Sequence, residues 1–227
     1  MKNFLKTLLK INLILLILFN FKTAYAKPYF TNKNIPFDII DAPIDRASKE
    51  YRNEVNQILA IQSNIELKEI DLALEEKNFT YLTLMKRANI YVNPKANPEF
   101  FKFLNRVTDT SILITDKFKN HWQTTRPYQA DSRIKMLISP SKNYAYPSGH
   151  TSGSYIYAHV LGLLYPKKYQ KLKEIANDIA WHRVLIGMHF PHDIEGGKKL
   201  ALVIVGSMLE NKEFQQDLEI VKKKIKE

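Results

Sequence analysis

The stretch Tyr146-Pro147-Ser148-Gly149-His150-Thr151 decides how this chain is read, because an apolar run from Tyr155 to Tyr165 follows it at helical spacing. Pro147 and Gly149 punctuate the stretch, and the layout is that of a turn feeding a helix N-terminus. Such an end offers unpaired N–H groups together with the positive end of the helix dipole, which makes it an anion site. Ser148 adds a hydroxyl, Gly149 lets a ligand approach the backbone closely, and His150 can move a proton near neutral pH. Taken alone, the stretch reads equally well as a serine N-cap beside a surface histidine.

Helical patterning extends outward on both sides. Val55, Ile58, Leu59 and Gln62 fall at 3/4 spacing behind Asp45, a plausible cap. Ile65–Leu74 and Phe79–Ile90 continue amphipathic patterns, and Asn93-Pro94 and Asn97-Pro98 interrupt them. From Glu99, the residues Phe100, Phe103, Leu104, Val107, Ile112, Leu113 and Phe118 make a wide apolar face. Pro127 ends or kinks that region, and Gln129–Tyr146 reads as a loop. Further helical segments are expected at Ser152–Tyr165, from Lys168 to about Ile186, and at Pro191–Leu209, before a basic amphipathic tail. Leu200–Leu209 is too short to span a bilayer and is expected to be a central buried helix. There is no alternating strand pattern and no internal repeat. The expected fold is an all-α, single-domain helical bundle.

The first 26 residues read as an export leader. Lys2, Lys6 and Lys10 precede the apolar run Ile11–Phe21, and Ala24-Tyr25-Ala26 closes it as a cleavage site. The expectation is a mature chain, residues 27–227, that is exported to the periplasm and has no membrane span once the leader is removed. Residues 27–44 are expected to form an extended arm packed on the domain. The net charge of +11 falls to +7 when the leader's four lysines leave with it. Without cysteine, the exported chain must be held by packing, with neither disulfides nor thiolate metal sites. The basic excess suits nucleic acid, an anionic surface or small anions. Part of it, Lys222-Lys223-Lys224 and Lys226, reads as a solvated helix end.

Two further clusters point to an anion. Lys119 followed by Arg126-Pro127 pairs a mobile point charge with a guanidinium fork that fits tetrahedral oxyanions. In the second cluster, Arg183 to Asp193, Gly187 can end one helix and Pro191 can sit in the first turn of the next. His189 then lies in a short connection, where Asp193 can hydrogen-bond one imidazole nitrogen and leave the other free to attack. A metal site of His189, His192 and Asp193, with His150 as a fourth ligand, is the competing reading. Three points oppose it: adjacent residues on a helix point in different directions, three candidate cations would repel a divalent ion, and no second carboxylate accompanies Asp193.

The patterns Lys-x6-Arg-Pro, Pro-Ser-Gly-His and Arg-x5-His-x3-Asp occur in that order, a combination expected by chance on the order of once in a million chains. On these motifs the chain resembles the PAP2 superfamily of phosphatases, which shares its site with the vanadium haloperoxidases. Its leader and lack of spans resemble the soluble class A bacterial acid phosphatases. The resemblance covers Lys119 to Asp193. It implies the helical acid phosphatase–haloperoxidase fold and hydrolysis of phosphomonoesters without metal or cofactor. It further implies that Lys119, Arg126, Arg183, Ser148 and the Gly149 N–H hold the phosphoryl oxygens. His189 would be the nucleophile forming a phosphohistidine, Asp193 would orient it, and His150 would serve the leaving alcohol and then water.

One departure stands out: the family motif begins Ser-Arg, whereas this chain has His182-Arg183. His182 reads as a packed or surface residue beside Trp181, with a second titrating group as the alternative. The implied partner is a small phosphorylated substrate and not nucleic acid; the oligomeric state, a homo-oligomer included, stays open. Rival readings are a lipid phosphate or pyrophosphate phosphatase at the membrane surface, a haloperoxidase, and a non-catalytic periplasmic anion-binding protein. Specificity is expected to lie in the loop Gln129–Tyr144 and in the arm.

Overall fold

The computed structural model describes residues 27–31 and 35–225. The leader expected at residues 1–26 lies outside the described residues, as does Lys226. Nine α-helices occur among the described residues: α1 (Lys49–Ser63), α2 (Leu67–Glu75), α3 (Tyr81–Arg87), α4 (Pro98–Trp122), α5 (Pro127–Ala130), α6 (Gly149–Leu164), α7 (Tyr169–Leu185), α8 (Pro191–Leu209) and α9 (Lys212–Lys224). No strand occurs among them. None of the described helices is long and apolar enough to cross a membrane.

Helix α6 lies at the centre, packed along α7 and α8 and across α4. Its sequence explains the position. Thr151 to Ser154, Ile156 to Ala158, Val160, Leu161 and Leu164 are all buried, so the helix is covered on nearly every side. The surrounding core takes Phe100, Phe103, Leu104 and Phe118 from α4, Ile175 and Ile179 from α7, Leu200 and Ile204 from α8, and Phe214 from α9.

Several sequence expectations shift at their edges. Asp45 does not cap α1. It holds the preceding turn through Ala47 N–H (3.0 Å to Oδ1), and the cap is Ser48, whose hydroxyl accepts from Tyr51 N–H at 3.0 Å. Ile112 is 51% exposed, because the buried stripe of α4 runs through 103, 107, 110, 114 and 118 and position 112 falls outside it. Pro127 neither ends nor kinks a helix. Helix α4 has stopped at Trp122, and Pro127 opens α5, where its missing N–H costs nothing. Residue 129 therefore belongs to α5, and the loop begins after Ala130. The second half of α8 is buried on one face only, since Leu202 is 58% exposed.

Residues 27–31 and 35–44 contain only the 3-10 turn Phe37–Ile39. Tyr29 is buried, with its N–H on Thr110 Oγ1 (3.0 Å), its hydroxyl on Asp217 (2.9 Å) and the Arg106 guanidinium 4.1 Å above its ring.

Gly187 makes the α7–α8 turn. Its φ is +73°, and a Cβ there would lie 2.5 Å from Lys135 O. Both the left-handed backbone and the close approach call for glycine. Gly187→Ala should destabilise the fold by at least about 1–2 kcal/mol, the cost of that conformation alone, measured by chemical denaturation.

Candidate active site

Helix α4 carries a buried polar stripe, Thr110, Ser111, Thr115 and Lys119, toward its C-terminal end. That stripe leads to a cavity of about 220 Å³. Lys119, Arg126, Gly149, His150, Arg183 and His189 all line it, although they come from four separate parts of the chain. The three cations are almost fully buried, at 2%, 3% and 1% exposure for Lys119, Arg126 and Arg183. What holds them decides the chemistry. The Lys119 ammonium donates to the carbonyls of Tyr144 (2.7 Å) and Ala145 (2.8 Å). Arg126 donates to Met188 O (2.9 Å), Asn143 O (3.3 Å) and the side-chain oxygen of Asn143 (2.7 Å). Neutral carbonyl oxygens orient both groups without cancelling their charge, and buried charge left unpaired is costly. Burial, then the charge of Arg126, pushes the Lys119 ammonium down to about 7. Burial likewise lowers Arg126.

Arg183 differs. It donates to Ala73 O (2.7 Å), and the Glu76 carboxylate stands 3.5 Å away. Burial outweighs Glu76 and brings its pKa down to about 10. Glu76 is itself buried and gathers Arg87 (2.7 Å) and His182 Nδ1 (2.8 Å) as well. His182 is thus neither exposed nor merely packed. It is joined to the carboxylate that braces Arg183, while Trp181 beside it is 41% exposed.

The α7–α8 connection places His189 as its residues require. Helix α7 ends at Leu185, Gly187 turns the chain, and Pro191 starts α8. Asp193 reaches back from the first turn: its Oδ2 accepts from Phe190 N–H (2.9 Å) and lies 3.1 Å from His189 Nδ1. On the other edge of the ring, Arg126 Nη1 is 3.0 Å from Nε2. A guanidinium only donates, so Nε2 must accept and the proton must sit on Nδ1, facing Asp193. Burial first, then the charges of Arg126 and Lys119, holds His189 well below the usual imidazole range. The ring is therefore neutral, with its Nε2 lone pair turned toward Arg126.

His150 stands on the first turn of α6, tilted against Phe79 with ring centroids 4.9 Å apart. Its Nε2 is 3.2 Å from the carbonyls of both Glu76 and Lys77, which only accept, so Nε2 carries the proton. Burial, then the charge of Arg183, pushes it down to about 3. Ser148 caps α6. Its hydroxyl oxygen accepts from Thr151 Oγ1 (2.9 Å) and Thr151 N–H (3.3 Å), and it is not among the residues lining the cavity. Gly149 does line the cavity, and a Cβ there would sit 3.5 Å from the Lys119 side chain.

His192, a ligand in the competing metal reading, turns away to Glu54 at 2.5 Å, yet its other nitrogen lies 3.4 Å from Asp193 Oδ1. The expectation that these neighbours point apart fails because Asp193 folds back to cap α8. Sequence reasoning also missed Glu76, Asn143 and Glu54. None stands in a pattern with its partner: Glu76 lies 107 residues before Arg183, and Glu54 lies 138 before His192. Lys77, Asn78, residues 138–141 and Asn143 also line the cavity, so the loop reaches it. No described residue of the arm lines the cavity.

A Lys119 that is half-deprotonated near pH 7 regains its proton when an anion enters. Inorganic phosphate binding at pH 8 should therefore take up about one proton more in the wild type than in Lys119→Met. Calorimetry in buffers of different ionisation enthalpy measures this.

Residues 104–214 match the family model described as PAP2 superfamily. Over 136 residues the chain is 30% identical to a non-specific acid phosphatase of Providencia stuartii, covering 58% of this chain and 55% of that protein. Over 139 residues it is 28% identical to one of Salmonella typhimurium, covering 59% and 56%. The chain thus spans little more than half the length of the curated relatives it matches. Its fold is similar to that of the transmembrane PAP2 type phosphatidylglycerolphosphate phosphatase of Bacillus subtilis, with a TM-score of 0.54 at 20% identity over 75% of this chain and 89% of that one. The three buried cations of the cavity and both of its histidines fall inside the matched stretch, and residues 104–214 form a PAP2 superfamily domain.

Proposed function

We infer that this protein is an exported phosphatase that hydrolyses phosphomonoesters through a covalent phosphohistidine. The observation carrying the inference is the His189 ring: its Nδ1–H donates to Asp193, and its Nε2 lone pair faces Arg126 in a cavity that Lys119 and Arg183 also line. The curated relatives named non-specific acid phosphatase support the same reading. So does the leader read in residues 1–26 of the sequence.

The dianionic phosphoryl group enters between Lys119, Arg126 and Arg183, where its charge replaces what the carbonyls leave uncompensated. Arg126 Nη1 then gains a phosphoryl oxygen as partner and frees His189 Nε2. The Gly149 N–H, in the first turn of α6, adds a backbone donor, while Ser148 caps that turn from behind the cavity wall. The Nε2 lone pair attacks phosphorus as the bond to the leaving oxygen breaks. Nδ1–H stays on Asp193, whose charge steadies the imidazolium that forms.

His150 supplies the proton to the leaving alkoxide. It is neutral above about pH 3, because burial and then the charges of Arg183 and Arg126 disfavour its charged form. A bound dianion offsets those charges and raises the pKa of His150, so the substrate itself loads the acid. In the second step a water gives its proton to His150 and its oxygen to phosphorus. The P–N bond breaks, and phosphate leaves with the lone pair restored to Nε2.

His189→Ala should lower kcat on p-nitrophenyl phosphate by at least about 10⁴-fold and abolish the acid-labile phosphoenzyme seen after alkaline quench. His150→Ala should lower kcat by about 10²–10⁴-fold with most phosphate affinity kept. EDTA should leave turnover intact and vanadate should inhibit it. Full activity in His189→Ala would refute the mechanism.

A further inference from the structure

His192 has no part in the steps above, yet it touches the residue that orients the nucleophile. Its backbone N–H donates to Glu54 Oε1 (2.9 Å), and its Nδ1 lies 2.5 Å from Glu54 Oε2. Its Nε2 lies 3.4 Å from Asp193 Oδ1, an oxygen that is fully buried and has no hydrogen-bond donor of its own. The other carboxylate oxygen, Oδ2, serves His189 Nδ1 and Phe190 N–H. Glu54, His192, Asp193 and His189 therefore stand in a line running from the flank of α1 to the cavity.

The ring of His192 has little freedom. Phe190 stacks on it at 5.4 Å and 12°, and Tyr146 lies at 5.9 Å. The titratable groups facing it are Glu54 from α1, Asp193 from its own helix, and the Tyr146 phenol from the segment ahead of α6. Burial raises the pKa of Tyr146, and its hydroxyl donates to Asp41 O, so it stays neutral. Both ring nitrogens of His192 thus face carboxylate oxygens. With a proton on each, the ring bridges two anions. With Nδ1–H alone, the Nε2 lone pair opposes the lone pairs of Asp193 Oδ1.

We propose that His192, anchored by Glu54, is a positioning residue for the phosphoryl transfer: its Nε2–H holds Oδ1 of Asp193 and so keeps Oδ2 on His189 Nδ1. This rests on the phosphatase reading, through the role given to His189. Burial disfavours the charged ring, but the Glu54 hydrogen bond and the charges of Asp193 and Glu54 outweigh it, and the pKa rises above the usual 6.5. The sign follows from that direction. The tie is complete at acid and neutral pH and is lost as pH rises through the raised pKa, so kcat acquires an alkaline limb.

The test uses the full chain, with kcat and KM for p-nitrophenyl phosphate followed across pH. His192→Ala should lower kcat about tenfold, change KM less than about twofold, and flatten the alkaline limb. His192→Gln places a non-titrating amide N–H within reach of Oδ1; it should recover kcat to within about threefold of wild type while the limb stays flat. Glu54→Gln should move the limb about one pH unit toward acid. Long-range proton–nitrogen NMR reads the His189 tautomer without turnover: Nδ1–H in the wild type and in His192→Gln, a mixture in His192→Ala. An unchanged His189 tautomer together with an unchanged limb in His192→Ala would overturn the proposal. So would a folded His192→Gln no better than His192→Ala. If the wild type fails to turn over the ester, the phosphatase reading falls, and the NMR comparison alone decides the tie.

Discussion

Oδ2 of Asp193 accepts the Phe190 N–H and faces His189 Nδ1, so the residue that orients the imidazole also closes the first turn of α8. Its backbone carbonyl accepts from Ser148 N–H at 2.9 Å, which fixes the start of α8 against the start of α6. Gly197, one turn further on, allows this approach, since a Cβ there would lie 2.9 Å from Ser148 O. Without the Asp193 carboxylate, the helix cap and the tautomer of His189 would be lost together. A group with several structural duties is hard to displace, which suits a residue whose carboxylate must keep one geometry at the site.

Around that fixed point the molecule gathers positive charge and withholds its counter-ions. Lys119 and Arg126 are oriented by carbonyls, and neither has a carboxylate within ion-pair reach among the described residues. Arg183 has one, but Glu76 divides its two oxygens among Arg87, His182 and Arg183. The folded state bears the cost of this desolvated charge, and an entering anion removes it. The same logic sets the protonation states: buried beside cations, both cavity histidines are held neutral, one as a lone-pair donor and the other awaiting its proton.

How much of this was legible in the sequence depends on range. Gly187, Pro191 and Asp193 lie within seven residues, and the local rules of helix stop, helix start and capping placed His189 between two helices. The periodicity of α4, α6 and α7 showed as helices for the same reason, because side chains three and four apart share a face. Asp45 was misassigned where two polar residues, Asp45 and Ser48, compete for one cap, and only the hydrogen bonds separate them. In the arm, Tyr29 packs on Arg106 and Thr110, and none of the arm's described residues lines the cavity, contacts that no local pattern in the sequence announces.

The sequence by itself determined the all-helical class and the family resemblance. It also picked out the group of cations and histidines that lines the cavity, because each motif is set by spacings of a few residues. Tertiary structure alone decided who braces them. Glu76 stands against Arg183 and His182, Asn143 against Arg126, and Glu54 against His192, through contacts that cross 17 to 138 residues. No local rule encodes such pairs, since they exist only once the helices have packed and the excluded water has left each buried polar group to find a partner.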